Sequence, residues 1–320
     1  MQQYLLRRIL LALPTLLLVA FLSFMIMRLI PGDAALAKVA QGGSFSPERL
    51  DLIRHQLGID RGMMDQFADW ITGIVQGDFG RSFSTNKPAF DEFWKGVPIT
   101  LELGVIALTT AVIIAIPAGT ISALRQDTWV DYLGRSIAII GISVPVFFLA
   151  ILLIVYPSIW FDWVWPRGTP SLWHETWTNL KAYVVPGVIL GFASSAYMMR
   201  LLRTSVLEVM RQDYVRTARA KGLRERGVVV RHVLRNALLP TVTLIGAQLG
   251  ALLGGAVIIE QLFGLPGVGL RTFNAVGSRD YPVLQVTLLV LGTVIVLMNM
   301  VTDLTYAVLD PRIKYTRAGA

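Results

Sequence analysis

The chain has 320 residues, of which 54% are hydrophobic and only 16% charged, whereas soluble domains carry about 25% charged residues. This apolar content exceeds what one soluble core of this length buries, so an ordinary soluble domain is excluded. The net charge is +8 and cysteine is absent, which excludes disulfides, thiolate metal ligands and cysteine nucleophiles.

Six long apolar stretches, almost free of charge, follow one another along the chain. They run over Ile9–Ile30, Ile99–Leu124, Ser136–Trp160, Tyr183–Met199, Ala237–Ile259 and Pro282–Thr302. Each is close to the roughly 20 residues that an α-helix needs to cross a bilayer. The sequence therefore predicts an all-α membrane protein with six transmembrane helices. Pro117 and Pro145 lie inside two of these stretches, where proline can kink a helix.

The first stretch also has one feature of a secretory signal peptide, because Arg7 and Arg8 precede an apolar run. However, the run from Ile9 to Ile30 is long for the apolar part of such a segment, and five further spans need an anchor of known orientation. A retained first helix is therefore the favoured interpretation.

Lys and Arg are distributed unevenly between the connections. If the N-terminus is inside, the inner segments carry more basic residues than the outer ones, and acidic residues show the opposite bias. Because basic residues concentrate on the cytoplasmic side, both termini are predicted to be cytoplasmic. This orientation divides the chain into an N-terminal helix (1–30), an extracytoplasmic loop or cap (31–98) and a five-helix core domain (99–320) with a cytoplasmic loop at about 200–236.

The extracytoplasmic segment contains the signals of one short helix. Ser46 can serve as its N-cap, Pro47 suits the first helical position, and Gly58 suits its end. We therefore predict that this segment forms a small cap.

Catalytic and energy-coupling groups are missing from the predicted spans. The three histidines, His55, His174 and His232, lie outside all six, so an intramembrane protease or a His-ligated metal centre has no residues to use. No Lys follows a Gly, which excludes a G-x-x-x-x-G-K-[ST] phosphate loop. The span interiors also lack the acidic or histidine side chains of ion-coupled carriers. We expect no enzymatic activity, no catalytic residues and no bound metal, and energy for transport would come from a partner.

The cytoplasmic segment 200–236 holds ten basic and three acidic residues. Positive-inside bias and anionic lipid headgroups account for such a charge without any protein partner. The order of residues adds more, because 213–221 suits a short amphipathic helix with Tyr214, Val215 and Ala218 on one side. Gly222 can then supply a left-handed C-terminal stop. A short, sharply ended helix projecting from a membrane domain has the shape of a docking element.

Segment 213–223, Asp-Tyr-Val-Arg-Thr-Ala-Arg-Ala-Lys-Gly-Leu, together with 231–240 resembles the EAA loop of ABC importer permeases of the dipeptide, oligopeptide and nickel branch. Other stretches that resemble this branch are 4–8, 31–33, 263–269, 279–282 and 309–312. The long outer loop resembles the first, B-type, of the two permease subunits in these systems. Arg216 stands where the general family has its name-giving Glu, so the role of that Glu is not transferred.

The resemblance implies a type I ABC importer permease fold, in which the loop seats a coupling helix in a cleft of an ATPase subunit. By that resemblance, ATPase coupling is assigned to Tyr214, Arg216, Thr217, Ala218, Lys221, Gly222 and Leu223. Small residues such as Ala218 and Ala220 suit a close fit in such a cleft. We expect Gly222→Val, or a bulky residue at Ala218, to leave insertion intact but to uncouple ATP hydrolysis from transport.

Residues of the translocation path are harder to assign. Gln248 lies near the middle of the fifth span, and a polar amide there needs a partner or water, so it either lines the path or bonds to another helix. Ser143, Ser194, Ser195 and Asn299 are weaker candidates. Gly246, Gly250 and Gly254 form a stripe at four-residue spacing that favours close helix packing.

The resemblance implies an ATP-driven importer subunit for di- or oligopeptides that forms half of a heterodimeric pore working by alternating access. Nickel chelates, glutathione-like molecules and oligosaccharides are alternative solutes. Implied partners are a second homologous permease subunit, two ATPase subunits that hold ATP and Mg, and an extracytoplasmic solute-binding protein, with no cofactor in this chain and no nucleic acid. The implied location is the plasma (inner) membrane of a bacterium or archaeon. A secondary transporter or a membrane scaffold remains as an alternative from another class.

Overall fold

The computed structural model describes residues 2–29, 35–36, 39, 46–166 and 168–309. Nearly all of these residues are helical, as the apolar runs and their end signals predict. The helices are α1 (Gln2–Leu29), α2 (Pro47–Leu57), α3 (Met63–Val75), α4 (Ala89–Leu124), α5 (Trp129–Ser143), α6 (Val146–Phe161), α7 (Thr176–Met210), α8 (Asp213–Ala220), a turn (Glu225–Gly227) that continues into a π-helix (Val228–Leu234), α9 (Arg235–Phe263), α10 (Val268–Gly277) and α11 (Tyr281–Leu309). The all-α fold class is confirmed.

The described residues of the predicted spans fall on helices, except for the break at 144–145 in the third span. Among the described residues, four helical stretches are long and apolar enough to cross a membrane: α4, α7, Glu225–Gly246 and Tyr281–Met298. The bent pair α5 and α6 brings this number to five if the pair counts as one span. In α1 the apolar segment Leu10–Ile26 is shorter than these four stretches and is not counted among them.

The third predicted span differs from the expectation of one continuous helix. Between α5 and α6 the axis bends by 91°, so residues 136–160 form either a broken span or a re-entrant loop. Val144 adopts an extended conformation (φ −80°, ψ 121°) because the ring of the following proline disfavours the α conformation. Pro145 is the N-cap immediately before α6, where its missing N–H has no helical partner to lose. In contrast, α4 passes through Pro117 without a break.

The chain divides into two compact units, Met1–Pro98 with Pro266–Ala320, and Ile99–Leu265. The predicted core domain 99–320 is thus distributed over both units. The proposed order of segments 1–30, 31–98 and 99–320 across the membrane stays a prediction.

In the first unit, α1 packs along α11. Gly292 lets the two helices approach, because a Cβ there would lie 2.5 Å from a methyl carbon of Val19. A second buried cluster joins the start of α4 to α10 and the beginning of α11, and includes Phe93, Val268 and Leu284. This unit also contains α2, whose predicted ends are confirmed: Pro47 is its first residue and Gly58 closes it at φ 64°.

In the second unit, α7 is the central helix and packs against α9, α5 and α6. Its glycines permit an unusually close approach to α4. A Cβ at Gly187 would lie 2.5 Å from Ile106 Cγ2, and one at Gly191 would overlap the carbonyl oxygen of Ala107. The close contact is therefore permitted by the two glycines of α7. The surroundings of Gly250 and Gly254, which belong to the predicted stripe, lie outside the described residues.

Replacing Gly191 with Ala is expected to lower the free energy of unfolding by about 1–3 kcal/mol, because an added methyl group overpacks this interface. Besides overlapping the Ala107 oxygen, that methyl group would lie 2.6 Å from Thr110 Cβ. Thermal unfolding of the purified chain in detergent measures the effect. Gly104→Ala is the matched control, since a Cβ at Gly104 meets nothing within 4 Å. Equal melting temperatures for the two variants would contradict this packing.

Candidate functional site

The predicted docking helix is present as α8, which runs from Asp213 to Ala220. Its apolar positions face inward, since Val215 is fully buried and Ala218 is 5% exposed. Both join a buried cluster in the second unit, which also contains Ala123, Leu202, Val206, Val228, Val233 and Ala237. This burial holds a helix of only eight residues, which is too short to be stable in water on its own.

The end of α8 is a left-handed turn at Gly222, as predicted. Gly222 has φ 77°, and its N–H donates to the carbonyl of Arg219 at 2.9 Å. A Cβ at this glycine would meet nothing within 4 Å. The requirement for glycine is therefore conformational and not steric.

Two side-chain contacts fasten α8 to the helical segment that follows it. The guanidinium of Arg219 donates twice to Glu225, with Nε–Oε2 at 3.1 Å and Nη2–Oε1 at 2.7 Å. These bonds raise the pKa of Arg219 and lower the pKa of Glu225, so both groups are charged at neutral pH. Asn236 Nδ2 also donates to the hydroxyl of Tyr214 at 2.9 Å. Side-chain hydrogen bonds therefore join the residues before the turn at Gly222 to the residues after it.

Six of the seven predicted coupling residues present an exposed surface: Tyr214, Arg216, Thr217, Lys221, Gly222 and Leu223. Tyr214 is 43% exposed and Leu223 is 47% exposed, so two large apolar side chains flank a basic face. The hydroxyl of Thr217 donates to the Asp213 carbonyl of its own helix at 2.9 Å. Ala218 differs from the expectation of a fit in a partner's cleft, because its small side chain packs against the chain's own core.

A buried ion pair that sequence reasoning missed lies close to this site. Asp131, which is fully buried at the start of α5, accepts two hydrogen bonds from Arg203 of α7, at 2.7 Å and 2.6 Å. Ser122 Oγ and the Asp127 N–H also donate to the Asp131 carboxylate. The pair joins α7 to α5 at Arg203, ten residues before α8 begins. Its signal in the sequence was the presence of opposite charges just beyond two spans on the predicted cytoplasmic side.

The residues predicted for a translocation path are not brought together by hydrogen bonds in the described part of the chain. Ser195 is buried, and its hydroxyl donates to the carbonyl of Phe192 at 2.6 Å, as an ordinary helical serine does. Ser143 is exposed at the end of α5, while Ser194 and Gln248 are partly buried. Asn299 belongs to α11, but its side chain lies outside the described residues. Their assignment to a path stays a prediction.

In the first unit, the Arg279–Pro282 motif has a clear structural role. Asp280 is 2% exposed and accepts hydrogen bonds from the Ser82 hydroxyl at 2.5 Å and from the backbone N–H groups of Phe83 and Ser84. The motif therefore ties the turn between α10 and α11 to the loop before α4. In the second unit, Gly264 ends α9 at φ 67°.

Comparison with known proteins adds family-level evidence. Residues 115–315 match the family described as binding-protein-dependent transport system inner membrane component. Residues 1–104 match the family of its N-terminal region. Together these matches cover almost the whole chain.

Curated relatives match along their full length. A dipeptide transport system permease protein of Alkalihalophilus pseudofirmus is 37% identical, with 98% of this chain and 100% of that protein covered. A putative peptide permease protein of Brucella suis is 41% identical, with coverage of 99% and 100%. A glutathione transport system permease protein of Escherichia coli K12 is 39% identical, with coverage of 98% and 100%.

One solved structure supports the fold. It is described as the crystal structure of an amino acid ABC transporter with histidines, and it matches with a TM-score of 0.51 at 15% identity. The match covers 70% of this chain and 95% of that chain. At this identity the likeness concerns the fold alone.

Proposed function

The chain belongs to the family of binding-protein-dependent transport system inner membrane components, and from this premise we propose that it imports di- or oligopeptides as one half of a heterodimeric pore. It is a membrane subunit of an ABC importer. The peptide assignment is supported by full-length relatives named as dipeptide and peptide permeases, at 37% and 41% identity. The absence of a phosphate loop agrees with ATP hydrolysis by separate subunits.

The observation that carries the coupling role is the construction of α8. Its inner face is buried in the cluster around Val215, and its outer face carries Arg216 and Lys221. A helix held in this way moves together with α7 and α9, so a partner bound to its outer face can shift those helices. We assign the ATPase contact to the six exposed residues named above. Ala218 instead holds α8 against the buried cluster of the second unit.

The proposed mechanism is alternating access. A solute-binding protein delivers the peptide outside, and two ATPase subunits, which hold ATP and Mg, close on the cytoplasmic side. α8 passes that closure to the membrane helices, which then open the path inward. This scheme requires α8 and both termini to be cytoplasmic, as the distribution of Lys and Arg favours.

Co-purification tests the proposed assembly directly. With a C-terminal tag and mild detergent, we expect recovery of a second permease subunit and ATPase subunits from native membranes, with ATPase activity in the complex. Reconstitution with the binding protein should then give ATP-dependent peptide uptake into vesicles. Recovery of this chain alone in several detergents would contradict the assembly.

A charge-preserving scramble of 213–223 separates coupling from simple attraction to lipid or a scaffold role. The scramble keeps the basic charge but destroys the inward apolar face and the glycine turn. We expect uptake to be lost while insertion persists, since specific docking needs the order of residues. Full uptake by the scrambled chain would contradict the proposed coupling helix.

Glutathione is a second candidate solute, because a relative of 39% identity is named as a glutathione permease. Competition in the uptake assay distinguishes the two. Inhibition by dipeptides but not by glutathione supports the peptide assignment, and the reverse supports glutathione.

A further inference from the structure

The first unit contains a cavity of about 200 Å³ at the predicted extracytoplasmic ends of α1 and α11. Its walls also include the loop after α2, the beginning of α3 and the segment before α4. Polar and aromatic side chains line it, among them Arg28, Arg61, Gln66, Trp70, Arg81 and Tyr281. This cavity is separate from α8 and takes no part in the proposed coupling.

Three arginines line the cavity, and none of its lining residues is acidic. Arg61 pairs with Asp69 outside the cavity at 2.6 Å. Arg28 instead donates to the neutral amide oxygen of Gln66, at 3.1 Å and 2.6 Å, and to the carbonyl of Phe24. Arg81 donates to the backbone carbonyl of Asn86. Among the described residues, two of the three positive charges are therefore hydrogen-bonded to neutral groups only, which leaves the cavity electropositive.

The guanidinium of Arg28 is also held in a fixed position. Its Cζ lies 3.4 Å from the ring centroid of Phe24 and 5.8 Å from that of Tyr281. Arg28 is partly buried, and a positive charge in such a place is stabilised by a counter-ion. Guanidinium groups bind phosphate and carboxylate groups through paired N–H donors.

Tyr281, Pro282 and Gln285 bring the first turn of α11 to the cavity wall. The carboxylate of Asp280 immediately precedes this turn and accepts hydrogen bonds from Ser82, Phe83 and Ser84, so the charge that favours an anion comes from the arginines and not from the helix terminus.

The size of the cavity limits the ligand. Sites for drug-sized molecules enclose about 300–1,000 Å³, so this cavity suits a single small group more than a peptide. On the neighbouring surface of α1, Leu22 and Ile26 are 54% and 50% exposed, as expected of a helix in contact with lipid chains. A lipid headgroup could thus enter the cavity while its acyl chains remain beside α1.

We propose that this cavity binds a phosphate-type oxyanion, carried by a phospholipid headgroup or by a soluble phosphate compound. Arg28 and Arg81 provide the positive charge and the hydrogen-bond donors. The site does not depend on the transported solute or on the ATPase partners.

The test uses the purified full chain in a neutral detergent, with binding measured by isothermal titration and native mass spectrometry. The probes are dihexanoyl phosphatidylglycerol, inorganic phosphate, and dihexanoylglycerol as a lipid without phosphate. We expect saturable binding of a phosphate-bearing probe and none of dihexanoylglycerol. Binding of the phospholipid alone identifies a lipid site, and equal binding of inorganic phosphate identifies a site for soluble phosphate compounds.

The variant Arg28→Gln/Arg81→Gln is expected to weaken binding by roughly tenfold or more, because two charged hydrogen-bond donors are lost. Arg49→Gln is the matched control, since Arg49 is exposed on α2 and does not line the cavity. Arg81→Gln alone leaves the bonds from Arg28 to Gln66 intact. If the double variant does not fold, weaker probe binding by this single variant tests the proposal in its place. No saturable binding, or the same affinity in the cavity variants as in Arg49→Gln, would overturn the proposal.

Discussion

Replacing Gly222 with Val is expected to reduce ATP-dependent peptide uptake by roughly 5- to 30-fold, while insertion and assembly stay intact. The native turn has φ 77° at this position. A left-handed conformation costs an L-amino acid about 1–2 kcal/mol, which corresponds to roughly that factor in the population of the turn. Since a Cβ at Gly222 meets nothing within 4 Å, backbone strain alone causes the effect.

Uptake into vesicles that contain the reconstituted transporter measures this effect, and ATPase activity is recorded in parallel. Gly222→Asn should retain most of the uptake, because asparagine tolerates the left-handed conformation. Gly227→Val is a matched control, since Gly227 has an ordinary helical φ of −67° and open space around it. If Gly222→Val and Gly222→Asn transport equally well, the turn has no role in coupling.

Replacing Asp131 with Asn is expected to destabilise the chain by about 3–5 kcal/mol, because it removes one partner of a buried ion pair. The side chain of Arg203 is only 17% exposed, so its charge would remain largely shielded from water without a counter-charge. Ser122 and the Asp127 N–H would also bond to a weaker, neutral acceptor. The second unit should therefore loosen near the helix that leads into α8.

Thermal or denaturant unfolding of the purified chain in detergent measures this loss. Asp69→Asn makes the same chemical change in the Arg61–Asp69 pair, whose side chains are 55% and 59% exposed. Exposed pairs contribute about 0–1 kcal/mol, so this control should unfold almost like the unmodified chain. Similar losses in both variants would show that the Asp131–Arg203 pair is not a buried structural bond.

The two prolines in predicted spans show where sequence reasoning reached its limit. Pro117 and Pro145 both lie in apolar runs, and both were expected at most to kink a helix. α4 continues through Pro117, whereas the axis turns by 91° at Pro145. Proline removes one backbone donor and restricts the residue before it in either case. Packing around the helix determines whether it continues, and a single span cannot show that packing.

The docking helix was predictable in outline because its signals are local. Residues 213–221 carry an amphipathic pattern, and Gly222 follows directly, so both the inward face and the turn were anticipated. The orientation of Ala218 could not be predicted equally well, since a small residue suits a partner's cleft and a tight internal contact alike. Its contact with the buried cluster of the second unit comes from helices that are distant in sequence.

The sequence by itself determined the all-α class, the positions of the apolar helices and the short basic helix with its glycine stop. Each of these depends on composition and on periodicity among near neighbours, which the bilayer and the hydrogen-bonding needs of the backbone translate directly into helices. Only the tertiary structure decided the partners of Asp131 and Asp280, which bond to Arg203 and Ser82 over separations of 72 and 198 residues. It also brought Arg28 and Arg81 to the same cavity. Such pairs form only when helices pack, because packing and not local pattern brings residues that are distant in sequence within hydrogen-bonding range.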